Sequence, residues 1–265
     1  MPLTTFQQTV AKLLASNRTE DSHLAGGAAL HLHPNSKRYS NDLDYFHDSV
    51  ERVATAFAGD RELLQARGYG VQIEINQPGY IRASVAKRSE TTSIEWAHDS
   101  AWRFLPPVKD DIVGYRLHPM DLAINKLLAL AGRDEARDFL DILMIDQEVL
   151  PLGALCWAAV GKDPGFSPRS LLELLKRRGK YRPEDFKRLR LSEEVDLEEL
   201  KARWLGAVER AERFIEAQDP AEIGCLFYDQ EQERFIAPDS NERNARSSVV
   251  PHFGRPGGVL PAIRS

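Results

Sequence analysis

Two aspartates separated by one residue, in the segment Asn41-Asp42-Leu43-Asp44-Tyr45-Phe46, are the side chains whose types and spacing point most directly to chemistry. The segment alternates and reads as a strand, so Asp42 and Asp44 project from one face while Leu43 and Tyr45 turn toward a core. Carboxylates that close repel one another unless a cation lies between them. Hard oxygen donors in this arrangement suit Mg²⁺, which takes one or two carboxylates and fills its shell with water and phosphate oxygens. Upstream, Gly26-Gly27 follows the apolar run His23-Leu24-Ala25 and precedes Ala28-Ala29-Leu30-His31-Leu32, which reads as the start of a helix. A turn without Cβ atoms lets the backbone approach a phosphate, and amides at a helix start favour the anion. Ser40 shares the face of Asp42 and adds a hydroxyl for a phosphate contact. A D-x-D or a Gly-Gly alone is weak; the two in strand and helix context are far more specific.

The elements that must position these residues follow from periodicity. Phe6, Val10, Leu13 and Leu14 predict an opening amphipathic helix. After the strand at 41–46 a helix is expected over 48–67, then strands at 70–76, 80–86 and 92–97, the first two joined at Gln77-Pro78-Gly79. Mixed strands with few helices between them predict an α+β domain ending near Pro107. From Pro119 the chain turns helical, with an interruption expected at Gly132 and a second helix over 134–146. Helices at 151–160, 168–178 and 195–217 follow, the last with Leu197, Leu200, Trp204, Val208, Ala211 and Ile215 on one face. Residues 224–228 are expected to pair as a strand with 234–236, and the tail from Pro238, rich in Pro, Gly, Ser and Arg, is expected to be disordered. The expected division is therefore a catalytic core over 1–110, a helical region over 111–237 and a tail over 238–265.

Composition bounds the rest. At 265 residues the chain can form one large domain or two closely packed ones. Its net charge of −5 argues against a surface that coats nucleic acid throughout, while leaving room for a local basic patch. Residues 176–190 form one, with eight Lys or Arg against two acidic residues; its bland reading is a solvated helical surface. Cys156 and Cys225 have no Cys or His partner at ligand spacing, which excludes a zinc site or disulfide framework and fits a reduced, cytoplasmic setting. No signal peptide is read at the N-terminus, and no apolar run approaches the ~18 residues that span a membrane. His31 and His33, two apart on a helix, point to different sides and read as surface or helix-end residues. Trp157 and Trp204 read as core.

Three blocks, LAGGAAL, R-x-S-x-D-L-D-Y-F from Arg38 to Phe46, and KLLALAGRDEARDFLD from Lys126 to Asp141, together resemble the polymerase-β-like nucleotidyltransferases, and within them the AbiEii/AbiGii toxin-type branch. The resemblance covers residues of about 20–145. It implies a mixed sheet flanked by helices and followed by a mainly helical C-terminal region, with Mg²⁺ at a two-metal site and an NTP as substrate. Gly26 and Gly27 match the turn that holds the triphosphate, Ser40 a small polar position, and Asp42 and Asp44 the metal-binding carboxylates. Lys126 matches a phosphate-contacting lysine, and Asp141 an acid that binds metal or activates the acceptor. Arg133, Arg137 and Asp138 match charged positions around it. On one continuous helix residues 126, 133, 137 and 141 would fall within roughly 80° of arc; the bland alternative is a charged face with i,i+4 pairs. The family pattern also calls for a third carboxylate on a neighbouring strand. Glu95, between core-facing Ile94 and Trp96, is the first candidate and Asp99 the second.

The function so implied is transfer of a nucleoside monophosphate to a hydroxyl on an RNA end such as tRNA, or on a protein, by the toxin of a toxin–antitoxin pair with an antitoxin protein as partner. A small-molecule (antibiotic) acceptor fits the same chemistry. From other classes come a non-catalytic nucleotide-binding protein of the same fold, which the intact Asp42, Asp44 and Lys126 oppose, and a phosphohydrolase, for which no His/Asp cluster is present.

Overall fold

The computed structural model of the chain describes residues 3–32, 38–189, 191, 195–238 and 248–262. It divides into two compact units, the first running to His118 and rejoined by Leu191 and residues 256–258. His33, Arg190 of the basic segment and residues 239–247 of the expected tail lie outside the described residues.

In the first unit, α1 (Thr5–Leu14) opens with a capping box between Thr4 and Gln7 and buries Phe6, Val10, Ala11 and Leu14. Strand β1 (Ser22–Ala25) runs straight into the five-residue helix α2 (Gly26–Leu30), shorter than its sequence suggests. Then come β2 (Asp42–His47), α3 (Val50–Ala66), β3 (Gly70–Gln77), β4 (Tyr80–Lys87) and β5 (Glu90–His98). After β6 (Trp102–Arg103) the unit continues past Pro107 through β7 (Val108–Asp110) and β8 (Gly114–Arg116). Seven strands make one mixed sheet in the order β3-β4-β5-β2-β1-β8-β7. Its neighbours β2 and β5 are parallel, whereas β1–β2, β3–β4 and β4–β5 are antiparallel.

Alternation in the strands sorts the sheet into two faces. Leu43, Tyr45, Ile94, Trp96, Ala83 and Val85 are all fully buried on one side, the side against which α1 and α3 pack. Residues of the opposite parity (Asp42, Asp44, Ser93, Glu95, Tyr80, Arg82) stay half-buried. Within the apolar stripe of α3, formed by Val53, Ala56, Phe57 and Leu64, lies the fully buried Asp60. Arg18 grips both of its carboxylate oxygens, at 2.5 and 2.6 Å, and Asn17 and the Trp96 indole N–H donate to it at 2.9 and 2.7 Å. The carboxylate is thus paired and hydrogen-bonded, the condition under which a buried charge is tolerated. Arg18 meets it through Nη2 alone and lies over the Tyr45 ring, 4.4 Å from its centroid, while its Nε and Nη1 find no acceptor among the described residues.

In the second unit α4 (Pro119–Arg133) passes straight through Gly132, contrary to the expected interruption. An exposed glycine costs a helix only about 1 kcal/mol. The break comes at Asp134, whose φ of +48° no helix accommodates. Next are α5 (Ala136–Glu148), α6 (Leu152–Lys162), α7 (Pro168–Leu175), a short α8 (Pro183–Lys187) not read from the sequence, and α9 (Leu197–Ala217). Residues 152–160 of α6 are buried on every side, and this helix packs against α4, α5, α7 and α9. Trp157 and Trp204 are core residues, 3% and 5% exposed. Strand β9 (Cys225–Asp229) pairs with β10 (Arg234–Ile236) as expected. It also pairs with β11 (Val249–Phe253), which corrects the reading of a tail disordered from 238 onward.

Candidate active site

The antiparallel register of β1 and β2 sets Ala25 opposite Asp44, so the chain leaves β1 and turns at Gly26 directly beside that carboxylate. Gly26 has φ +61°, and a Cβ there would lie 1.8 Å from Asp44 Oδ2. Both the conformation and the space exclude any side chain. At Gly27 a Cβ would lie 2.9 Å from Arg38 Nη2 and 3.4 Å from Ser40 Oγ, so these two side chains close over the second glycine. Arg38 is 7% exposed and Ser40 2%. The Ser40 hydroxyl faces Asp42, with Oδ1 at 3.1 Å and the main-chain carbonyl at 3.0 Å.

Parallel pairing of β2 with β5 places Glu95 next to Asp44. Asp42, Asp44 and Glu95, all half-buried, each offer a carboxylate oxygen, and the three atoms lie within 4.8 Å of one another. Three anionic oxygens so close need a positive charge among them. An all-oxygen donor set of this kind fits a hard divalent cation such as Mg²⁺ and not a thiophilic metal. Asp99 stands beyond the end of β5, where its carboxylate accepts from the Ser100 amide at 2.8 Å, and is not part of the cluster.

Two residues that sequence reasoning passed over complete the surroundings. Arg82 sits opposite Glu95 on β4, with Nη1 3.6 Å from Glu95 Oε1 and Nε 3.0 Å from Glu74 Oε2. Tyr80, on the same face, hydrogen-bonds Glu95; burial first, then the charge of Glu95, pushes its hydroxyl up to about 12. The alternation of Tyr80, Arg82 and Ser84 was visible, but their facing Glu95 follows from strand pairing.

The charged residues of the helical motif form a separate cluster inside the second unit. Lys126 on α4 is 5% exposed, its Nζ 3.0 Å from Asp138 Oδ1 and 2.9 Å from Asp141 Oδ2 on α5. Arg133 forks onto Asp138 at 2.6 and 3.0 Å. Burial works to raise the Asp138 pKa, yet Arg133 and Lys126 outweigh it and hold the carboxyl below its ordinary range. Because the chain breaks at Asp134, residues 126, 133, 137 and 141 do not lie on one continuous helix, and the arc that such a helix would give them does not form. A helix-to-helix contact joins Lys126 to Asp141 instead. Arg137 is half-buried, and its Nε–H finds no acceptor among the described residues.

The profile of one protein family, described as nucleotidyl transferase AbiEii toxin of type IV toxin–antitoxin systems, matches residues 10–224. The chain belongs to this AbiEii family. It is accordingly a nucleotidyltransferase, of a family of type IV toxins. Among solved structures, MenT4, a nucleotidyltransferase toxin from Mycobacterium tuberculosis H37Rv, is similar at 18% identity and a TM-score of 0.53 over 90% of this chain and 88% of its own. JHP933 from Helicobacter pylori is similar at 18% identity and a TM-score of 0.47, over 80% of this chain and 91% of its own. The likeness to MenT4 is one of fold, which in this chain is a mixed seven-stranded sheet flanked by helices with a helical C-terminal region. No curated protein matches the sequence.

Other features of this AbiEii-family chain stay outside its chemistry. His31 closes α2 as its C-cap and is buried at 3%, a helix-end residue but not a surface one. Cys156 and Cys225 are buried thiols, and burial pushes Cys225 up to about 12, far from the reactive thiolate range. Among the described residues no helix is long and apolar enough to cross a membrane.

Proposed function

We propose that this AbiEii-family enzyme transfers a nucleoside monophosphate from an NTP to a hydroxyl, with Asp42, Asp44 and Glu95 holding the divalent cations the reaction needs. The observation that carries the reading is the meeting of three carboxylate oxygens within 4.8 Å beside a glycine that no other residue can replace. Magnesium bound there supplies Lewis-acid polarisation of phosphate oxygens and a lowered pKa for the attacking hydroxyl. The rest falls to the chain's own groups. Gly26 and Gly27 keep side chains away from the place where the triphosphate lies. Arg38 and Ser40, folded over Gly27, offer a positive charge and a hydroxyl to its oxygens. Ser40 also steadies Asp42 through its hydrogen bond. Lys126, Arg133, Arg137 and Asp141 stay in the proposal as nucleotide-site residues on the strength of the family resemblance. The acceptor is an RNA end such as tRNA, or a protein hydroxyl, and the type IV toxin family supports an antitoxin as partner in the cytoplasm.

Incubation with each α-labelled NTP, Mg²⁺ and total RNA, followed by identification of the labelled species, tests the reading. Wild type should label an RNA or protein acceptor, and Asp42→Asn or Asp44→Asn should reduce labelling by at least about 100-fold, as for loss of a preorganised group acting on the transition state. Undiminished transfer by either variant would refute the assignment.

A further inference from the structure

The acidic cluster carries its own cation. Arg82 lies on the central strand of the β3-β4-β5 trio and is flanked by one carboxylate from each neighbour. Glu74 of β3 is close, at 3.0 Å, while Glu95 of β5 is looser, at 3.6 Å. The guanidinium Nε also faces Ser93 Oγ at 3.2 Å. The β3–β4 pairing passes from Ile73 opposite Ala83 to Ile75 opposite Arg82, so Glu74 is the extra residue of a bulge at this one place. Bulges take a residue out of the regular ladder and re-aim side chains, and they recur beside functional sites. All three side chains keep solvent access, 40% for Arg82, 41% for Glu74 and 22% for Glu95, so the guanidinium can move between its partners by rotamer changes alone.

Charge balance decides what that freedom does. Three carboxylates within 4.8 Å are costly without a cation. A divalent ion among them would in turn repel Arg82, whose nearest guanidinium nitrogen is 3.6 Å from one ligand oxygen. We propose that Arg82 is a positioning residue that competes with the divalent cation for Glu95: without the ion it bridges Glu74 and Glu95, as seen here, and with the ion it gives up Glu95 and stays on Glu74 alone. The inference rests on the reading of Asp42, Asp44 and Glu95 as the cation site. Arg82 thereby weakens metal binding by the free enzyme and makes full occupancy depend on the nucleotide, whose phosphates bring both metal ligands and negative charge.

Titration with Mn²⁺ alone, read by electron paramagnetic resonance without nucleotide, separates this role from simple support of the strand. Arg82→Gln should bind Mn²⁺ about three- to tenfold more tightly than wild type, the scale expected from removing a half-exposed charge next to a divalent ion. Arg82→Lys should stay near wild type. Glu74→Gln should bind more weakly, because the guanidinium then has Glu95 as its remaining carboxylate. A merely structural Arg82 would give the opposite sign, since a loosened Glu95 ligates less well. Unchanged or weaker binding in Arg82→Gln overturns the proposal, as does unchanged or tighter binding in Glu74→Gln. Absence of saturable Mn²⁺ binding in both wild type and Arg82→Gln overturns the cation-site reading itself.

Discussion

Replacing Gly26 by alanine isolates the geometry on which the proposed site depends. The added methyl would lie 1.8 Å from Asp44 Oδ2, far inside contact distance, so the carboxylate must leave its place or the turn must open. The residue also sits at φ +61°, where a side chain costs roughly 1–2 kcal/mol. For a protein of this size that strain alone lowers Tm by about 2–8 °C. Gly68 provides the control, because its φ is +77° and a Cβ there meets nothing within 4 Å. Gly68→Ala should show the same loss of Tm with unchanged Mn²⁺ affinity and unchanged label transfer. Gly26→Ala should lose both functions by at least about 100-fold, the upper end of the loss on removing even an outer-shell partner of a metal site. Differential scanning calorimetry and Mn²⁺ titration of the two variants decide the matter. Wild-type Mn²⁺ affinity in Gly26→Ala, or an equal loss in Gly68→Ala, would show that the glycine serves the backbone and not the carboxylate.

Two further predictions concern the core beneath the sheet. His47 is buried and its pKa is depressed to about 3, by burial first and then by Arg18, Arg52 and His23, with Asp21 opposing. The unfolded chain therefore takes up that proton first, so stability should fall by up to about 1.4 kcal/mol per pH unit below 6.5. Urea melts at pH 7, 5.5 and 4.5 should show a shallower acid loss in His47→Phe, and parallel curves would refute the assignment. Asp60→Ala leaves the fully buried Arg18 without its carboxylate and removes the acceptor of the Trp96 indole. It should destabilise by about 3–5 kcal/mol in equilibrium urea unfolding and shift Trp96 fluorescence, whereas a loss under 1 kcal/mol would mean the pair is dispensable.

What the sequence discloses about this enzyme is what neighbouring residues determine. Asp42 and Asp44 share a face because strand side chains alternate, and Gly26-Gly27 announces a turn by composition alone. The placement of Glu95 beside them needed knowledge of the family as well as alternation. Arg82 and Tyr80 were illegible, because only the β4–β5 register brings them to Glu95. Asp60 hid for the same reason: its partner Arg18 is 42 positions away, and nothing local explains an acid in an apolar stripe. Gly132 misled because an exposed helix tolerates glycine, while the real break, Asp134 in a left-handed conformation, has no strong local signal. Strand β11 was lost among Pro, Gly and Arg residues, since its place is fixed by pairing with β9 and not by its own composition.

The most direct measurement of the central claim is an anomalous difference map from crystals grown with Mn²⁺ and a non-hydrolysable NTP. Density for Mn²⁺ in contact with Asp42, Asp44 and Glu95, with the triphosphate against Gly26 and Gly27, is the predicted result. Manganese bound elsewhere, or a nucleotide seated away from that turn, would contradict it.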